Sequence, residues 1–216
     1  MKKTSKVPDA TIERLARYSR PLEILLKSDT RLISSEKLAK SCGVNPAQVR
    51  KDLAYFGEFG VRGVGYDVSV LLAEIKKILA TDREWRLCIV GVGNLGSALV
   101  ANENFGKRGY NVVAAFDSDP KKIGAILPCG LKIEPSKKII TAVTSLEIEI
   151  GVITTPPQTA QSVADLLMEA GIKAILNFAP IQVKAPECCT VENVDFTIKL
   201  EKLAYHLAKV PLEPKP

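Results

Sequence analysis

The chain has 216 residues, of which 46% are hydrophobic and 25% are charged, a composition typical of a globular protein with room for two small domains. It lacks an apolar run of about eighteen residues, and the basic residues 1–6 lead into no apolar segment, so we expect a cytoplasmic protein without a membrane span or an export signal. The net charge of +6 lies in residues 1–80, which hold 15 Lys and Arg against 9 Asp and Glu. This asymmetry favours a polyanion partner, although a basic surface without any partner would have the same charge.

The first predicted elements are helices. Helical spacing predicts a helix over residues 9–27, with these residues along one face: Ile12, Leu15, Ser19, Leu22 and Leu26. Two short helices follow, separated by a turn at Gly43, since glycine tolerates positive φ. Ser34 and the pair Asn45 and Pro46 are residue types that begin helices. This spacing is typical of a helix-turn-helix, and plain packing of two helices is the alternative.

The second of these short helices is predicted to bury Val49, Leu53 and Phe56 on one face. Arg and Gln on the opposite face can read base edges, while Lys and Tyr can reach phosphates. Residues 59–66 alternate large and small side chains around glycines, which predicts a β-hairpin of the kind called a wing, with a basic residue near its tip. The sequence therefore predicts a DNA-contacting set: Asn45, Gln48, Arg50, Lys51, Tyr55 and Arg62.

A buried strand is predicted at residues 86–90, and a glycine loop and a helical run follow it at once. In this setting Gly91 would form a tight turn, Gly93 would let the backbone approach a pyrophosphate, and Gly96 would let the helix pack on the strand. We expect the whole loop to contact a dinucleotide: Gly91, Val92, Gly93, Asn94, Leu95 and Gly96.

The next predicted strand, residues 111–117, ends in an acid at the place where dinucleotide-binding proteins recognise ribose. The carboxylate of Asp117 would accept hydrogen bonds from both ribose hydroxyls and repel a 2′-phosphate, which favours NAD(H) over NADP(H). The alternative is an Asp that only forms the turn before Pro120.

Further strands are predicted at residues 147–154 and 173–177, with a helix over residues 159–170, so the sheet should be parallel. Ligands bind beyond the carboxyl ends of such strands, which adds five cofactor-binding candidates: Thr154, Thr155, Pro156, Asn177 and Phe178. A last amphipathic helix begins near Phe196. We expect Phe196, Phe178 and Pro156 to surround the nicotinamide, where an apolar pocket favours the neutral reduced ring over the cationic oxidised ring.

Groups for acid–base catalysis are scarce in this sequence. The single histidine, His206, lies in the predicted last helix, and Tyr205 and Lys209 have the spacing of short-chain dehydrogenases but follow the last strand. The five cysteines form no Cys-x-x-Cys pair, so we expect reduced thiols, with a thiol redox switch at the adjacent Cys188 and Cys189 as the alternative. We expect neither a metal site nor a catalytic site. A basic winged domain joined to a dinucleotide-binding domain without acid–base groups favours a sensor over an enzyme. The alternatives are a small NAD-dependent oxidoreductase and a protein that binds the nucleotide part of coenzyme A.

The sequence resembles the Rex family of bacterial redox-sensing repressors over nearly its whole length. The similarity rests on residues 49–57 (VRKDLAYFG), 63–66 (GVGY), 91–96 (GVGNLG), 171–180 (GIKAILNFAP) and 194–196 (VDF). The expected fold class is α/β. A winged helix-turn-helix domain is predicted over residues 1–80, a Rossmann-type parallel-sheet domain over residues 81–193, and a C-terminal dimerisation helix and tail over residues 194–216.

The resemblance implies a homodimer that exchanges its C-terminal helices and binds double-stranded operator DNA with an inverted repeat. It also implies that NAD(H) is the effector ligand and that NADH releases the protein from DNA. Arg14 and Asp195 are implied to pair across the dimer in the DNA-competent state. Asn102 stands where relatives often carry a tyrosine near the nicotinamide.

Overall fold

The computed structural model describes residues 7–61 and 63–209, and the chain divides into two compact units, residues 1–83 and 84–216. The first unit contains helices and a small antiparallel sheet: α1 (Asp9–Lys27), β1 (Leu32–Ile33), α2 (Ser35–Cys42), α3 (Pro46–Ala54), β2 (Gly60–Val61), β3 (Gly65–Asp67) and α4 (Val68–Ile78).

Local signals set the bounds of α2 and α3. The side chain of Ser34 accepts a hydrogen bond from the backbone of Lys37 at the start of α2, and Gly43 ends that helix with a left-handed φ of 66°. Asn45 caps α3 by accepting from the backbone N–H of Gln48 at 2.7 Å. The predicted helix-turn-helix is confirmed, because the same residues that predicted it form its caps and its turn.

The core of the first unit lies where α1 crosses the other helices, and its central side chains are fully buried: Leu15, Tyr18, Leu22, Leu38, Val49, Leu71 and Ile75. The predicted stripe of α1 is correct at its centre and wrong at its ends, where Ile12 is 37% exposed and Leu26 is 46% exposed. The buried face instead includes Thr11 and Tyr18. Their hydroxyl groups have a buried polar partner, which a hydrophobic pattern does not register.

The wing is a hairpin of β2 and β3, and β1 pairs with the other edge of β3. The hairpin predicted over residues 59–66 is confirmed, with shorter strands. Gly65 has a φ of 107°, and a Cβ there would lie 2.5 Å from the carbonyl oxygen of Ile33, so the close approach of β1 requires glycine. Arg62, predicted near the tip, lies outside the described residues.

The second unit alternates strands and helices: β4 (Trp85–Val90), α5 (Asn94–Val100), α6 (Glu103–Gly106), β5 (Tyr110–Asp117), β6 (Ile133–Pro135), α7 (Ile139–Ser145), β7 (Ile150–Ile153), α8 (Pro157–Glu169), β8 (Ala174–Asn177), β9 (Thr190–Asn193) and α9 (Phe196–Ala208). All pairs in its sheet are parallel, in the order β6-β5-β4-β7-β8-β9. The predicted parallel sheet is confirmed. The chain runs outward from β4 in both directions, so the switch point of the strand order lies between β4 and β7.

Both faces of this sheet are covered, as a parallel sheet requires. Alternate residues of β4 pack on opposite faces of the sheet. Cys88 and Val90 belong to one buried cluster, while Leu87 and Ile89 belong to another. Sequence patterns did not predict β6, β9 or α7, which are short elements. Within residues 7–61 and 63–209, no helix is long and apolar enough to cross a lipid bilayer.

Candidate functional site

Helix α3 and the residues that cap it expose four of the six residues predicted to contact DNA: Asn45, Arg50, Lys51 and Tyr55. Lys51 is exposed, and Tyr55 is 38% exposed. Arg50 is exposed too, but its Nη1 donates a hydrogen bond to Ser35 Oγ at 2.8 Å. Arg50 therefore has a fixed anchor at the start of α2 and keeps other N–H groups available.

Two of the predicted residues, the N-cap of α3 and a half-buried residue of its first turn, make hydrogen bonds within the fold. Asn45 caps the helix, and the side-chain amide of Gln48 donates to Asp52 Oδ1 at 2.8 Å. To read a base edge, Gln48 would have to release this bond. Base contacts by the two residues stay a prediction.

Asp52 is the polar centre of the first unit, and its carboxylate is fully buried beneath α3. Arg14 donates to both carboxylate oxygens at 2.6 and 2.7 Å, and Tyr18 donates its hydroxyl at 2.7 Å. Thr11 and Gln48 complete the set of donors. Burial alone would raise the pKa of Asp52, but the hydrogen bonds from Arg14, Tyr18 and Gln48 outweigh it and hold that pKa below its usual range. The network ties α1 to α3.

This network bears on the implied pair of Arg14 and Asp195. Arg14 is held by Asp52 within its own chain, and Asp195 caps α9 by accepting from the backbone and hydroxyl of Thr197 at 2.8 and 2.6 Å. Hydrogen bonds from Thr197 hold the pKa of Asp195 below its usual value. A pair across a dimer would compete with these bonds. It stays a prediction.

The glycine loop has the geometry that a dinucleotide requires. Gly91 has a φ of 97°, and a Cβ at Gly96 would lie 2.1 Å from the Gly91 carbonyl oxygen, so both positions need glycine. A Cβ at Gly93 would meet nothing within 4 Å, so the backbone there is open to a ligand. Asn94 begins α5, and Leu95 is 39% exposed. The loop therefore offers open backbone at a helix start beside the end of β4.

Asp117 ends β5 and is largely buried beside this loop. Its Oδ2 accepts from the backbone N–H of Val92 at 2.8 Å and from the ammonium of Lys122 at 3.1 Å, and its Oδ1 accepts from the N–H of Asp119 at 2.9 Å. Burial opposes ionisation, but these three donors prevail and keep the pKa of Asp117 below its usual value. Asp117 is thus ionised at neutral pH and also fixes the glycine loop.

A cleft of about 960 Å³ opens at the carboxyl ends of β4, β5 and β7. Its lining includes Gly91, Gly93, Asp117 and the predicted residues Thr154, Thr155 and Pro156. Thr154 donates its hydroxyl to the Gly91 carbonyl at 2.7 Å and so supports the loop. Among the buried side-chain oxygen and nitrogen atoms of the described residues, Thr155 Oγ1 lacks a hydrogen-bond partner. The size and position of the cleft suit a nucleotide ligand.

The remaining predicted cofactor residues are not part of the lining of this cleft. Asn177 is fully buried, and its side-chain amide donates to the carbonyls of Ala179 and Ile181, at 3.1 and 2.9 Å. It holds the loop after β8 and would have to release that loop to touch a ligand. The rings of Phe178 and Phe196 contact each other with centroids 6.1 Å apart. Their contact with a nicotinamide stays a prediction.

Helix α9 carries six large apolar side chains, each more than half exposed: Phe196, Ile198, Leu200, Leu203, Tyr205 and Leu207. Helical spacing places Phe196, Leu200, Leu203 and Leu207 on one face. A surface of this kind marks a site of association. His206 lies on the same helix, and its ring contacts that of Tyr205. The described residues contain no cluster of three His, Cys, Asp or Glu side chains suited to a metal ion.

Comparison with known proteins places the chain in a family. It is 58% identical over 206 residues to the "Redox-sensing transcriptional repressor Rex" of Syntrophobacter fumaroxidans, a match that covers 95% of this chain and 98% of that protein. The chain belongs to the Rex family. Two family models match parts of it, one described as a DNA-binding protein N-terminus over residues 6–54 and one described as a CoA binding domain over residues 82–181. The resemblance read from the sequence is confirmed.

Solved structures of RSP, a Rex-family repressor, match both units of the chain. RSP in complex with β-NAD+ and operator DNA has a TM-score of 0.90 and 38% identity, and the match covers 95% of this chain and 94% of that one. RSP in complex with β-NADH has a TM-score of 0.85 and 37% identity, with coverage of 95% and 96%. Rex proteins are transcriptional repressors, so the family supports a regulator and not the alternative of a small oxidoreductase.

Proposed function

We propose that this chain is a cytoplasmic redox-sensing repressor that binds inverted-repeat operator DNA as a homodimer and leaves the DNA when NADH binds. The observation that carries the proposal is the presence, in one chain, of a winged helix-turn-helix and a parallel-sheet cleft with a glycine loop and an ionised Asp117. The solved Rex relative was obtained with operator DNA and with both oxidation states of the cofactor.

In the DNA complex, α3 enters the major groove and the wing lies beside it. Arg50 reads a base edge while its bond to Ser35 fixes the direction of the guanidinium. Lys51 and Tyr55 contact phosphates, and these contacts set the position of the helix without reading sequence. Asp52 holds α3 at a fixed angle to α1, so the two recognition helices of a dimer keep a defined spacing.

In the cofactor complex, the pyrophosphate lies over the open backbone at Gly93, and Asp117 accepts a hydrogen bond from the ribose. Thr155 lines the same cleft, and its buried, unpartnered hydroxyl can donate to the ligand when the side chain rotates towards the cleft. Phe178 and Phe196 supply an apolar surface for the nicotinamide, which favours the neutral ring of NADH.

Helix α9 supplies the dimer contact. The face that carries Phe196, Leu200, Leu203 and Leu207 is exposed among the described residues, and a second copy of the helix offers a complementary apolar face. Phe196 contacts Phe178 at the base of this helix, so a ligand beside these rings is also beside the dimer contact. The recognition helices of the dimer have one spacing when the protein can bind DNA and another when it is released. NADH can shift the equilibrium between these two arrangements only by the difference between its affinities for them.

A second candidate ligand is the nucleotide part of coenzyme A, since residues 82–181 match a CoA binding domain. Isothermal titration of the full chain with NADH, NAD+ and coenzyme A tests the choice. We expect NADH to bind most tightly, because coenzyme A has no nicotinamide ring to contact Phe178 and Phe196 and carries a 3′-phosphate on its ribose. Tighter binding of coenzyme A than of NADH would contradict the proposed ligand.

A further inference from the structure

The ribose corner of the cleft contains an ammonium group as well as a carboxylate. Lys122 Nζ lies 3.1 Å from Asp117 Oδ2. The turn after β5 places it there, since Asp119 accepts from the backbone N–H groups of Lys121 and Lys122 at 2.9 and 3.0 Å. The side chain of Lys122 is 40% exposed and that of Asp117 is 8% exposed, so the ammonium is the more accessible charge of the pair.

The donors around Asp117 limit what its carboxylate can still accept. A carboxylate has about four acceptor positions. Three are occupied, by the N–H groups of Val92 and Asp119 and by Lys122. Asp117 therefore has room for one ribose hydroxyl rather than the two that its position in the sequence suggested. The accessible charged group beside Asp117 is Lys122, which lines the cleft.

We propose that Lys122 is a specificity-determining residue, whose ammonium offsets the repulsion between Asp117 and a 2′-phosphate and so narrows the preference for NAD(H) over NADP(H). The inference rests on the proposed function, because it concerns the same dinucleotide cleft. A lone carboxylate repels a phosphate, whereas a paired carboxylate and ammonium present almost no net charge. The exposed member of this pair is the cation.

A purely structural ion pair would behave differently from a specificity residue. Pairs with one partner this exposed contribute little to stability, so removal of the ammonium should leave the unfolding midpoint almost unchanged. The selectivity for 2′-phosphate should change, because the ligand meets the ammonium directly. The two explanations therefore differ in the ratio of the NADPH and NADH affinities.

The test uses the full chain and isothermal titration with NADH and with NADPH. Lys122→Met should weaken NADPH binding relative to NADH by about tenfold, as expected for the loss of one charge a few ångströms from a phosphate at a partly solvated site. Lys122→Arg keeps the charge and should keep the ratio within about threefold. Lys121→Met removes the same charge from an exposed neighbour outside the cleft and should leave the ratio unchanged.

Two results would overturn the inference while the proposed function stands. One is NADH binding by Lys122→Met with the wild-type ratio of affinities. The other is a wild-type chain that binds NADH but shows no measurable affinity for NADPH, since the ammonium would then offset nothing. Failure of the wild-type chain to bind NADH would instead refute the proposed function. Thermal unfolding of each variant, with Lys122→Gln as a second substitution, separates a loss of fold from a loss of charge.

Discussion

Removal of the Arg14 guanidinium is the perturbation whose consequence the structure defines most closely. Arg14→Ala takes two short hydrogen bonds from Asp52, whose carboxylate is fully buried. Breaking a buried ion pair by removing one partner costs about 3 to 5 kcal/mol. The lower end applies here, because Arg14 is 21% exposed and the donors Tyr18 and Gln48 remain. We therefore expect the first unit to lose about 3 kcal/mol of stability.

Amide hydrogen exchange measures this loss unit by unit, through the opening free energies of peptides from α1 and α3. Arg17→Ala is the matched control, because Arg17 lies one turn further along α1 and its pair with Glu13 is exposed on both sides. That pair contributes at most about 0.5 kcal/mol. A loss in Arg14→Ala no larger than in Arg17→Ala would refute the stabilising role of the network.

The effect should depend on pH in one direction. The pKa of Asp52 in the folded protein lies below its ordinary value of 3.8, so the carboxylate adds stability above pH 3.8 and loses it as the pH falls through the lowered value. Arg14 stays charged throughout. The difference in stability between the wild-type chain and Arg14→Ala should therefore be full at neutral pH and shrink in acid as the carboxylate of Asp52 takes up a proton.

Three further outcomes follow from the site geometry. Arg50→Ala should relax base preference at one operator position by about 1 to 3 kcal/mol, and Lys51→Ala should weaken binding to all DNA sequences alike. Neither variant should change the affinity for NADH. A mobility shift measures operator binding with Lys107→Ala as the charge-matched control, and wild-type binding by both variants would exclude α3 as the recognition helix. Asp117→Ala should weaken NADH binding by about tenfold or more in isothermal titration, because it removes the ribose acceptor and frees the Val92 N–H, and an unchanged Kd would place the ribose elsewhere. Deletion of residues 195–216 should give monomers or aggregates, whereas a monomeric full-length chain in light scattering would rule out the α9 dimer.

A double-mutant cycle tests the implied pair of Arg14 and Asp195, and its interpretation must include the bonds of Arg14 to Asp52. Arg14→Ala should weaken operator binding through the tilt of α3 alone, even if no contact with Asp195 exists. Asp195→Ala leaves the Asp52 network intact and is the cleaner single variant. Operator affinities of both single variants and the double variant decide the matter, and effects that simply add would exclude a direct pair.

Signals confined to a few neighbouring residues predicted the fold well. Gly43 and Asn45 define a turn and a cap by their own chemistry, and the loop at Gly91 and Gly96 follows from backbone geometry that only glycine allows. Contacts between distant residues were not accessible in this way. Asp52 carries a charge and sits in a helix of mixed polarity, so its complete burial depends on donors from α1 that lie more than thirty residues away.

The sequence also did not show which polar side chains are already hydrogen-bonded within the fold. Gln48 and Asn177 have the right chemistry and position to bind ligands, yet each is used by the fold through hydrogen bonds to nearby groups. The sequence analysis did not identify Lys122 as a site residue. The turn at Asp119 places its ammonium beside Asp117, and this turn is visible only in the structure. The elements β6 and β9 are short edge strands, and they depend on neighbours in the sheet more than on their own composition.

The central claim, that NADH and NAD+ act differently on DNA binding, is tested most directly by fluorescence anisotropy of a labelled inverted-repeat operator with the full chain. The total NAD(H) concentration is held constant while the NADH fraction rises. We predict that the bound fraction of operator falls as NADH replaces NAD+, because a ligand shifts an equilibrium only by its differential affinity. Asp117→Ala should need more NADH for the same release while its operator affinity without cofactor stays unchanged. Equal operator binding at every NADH fraction would contradict the account.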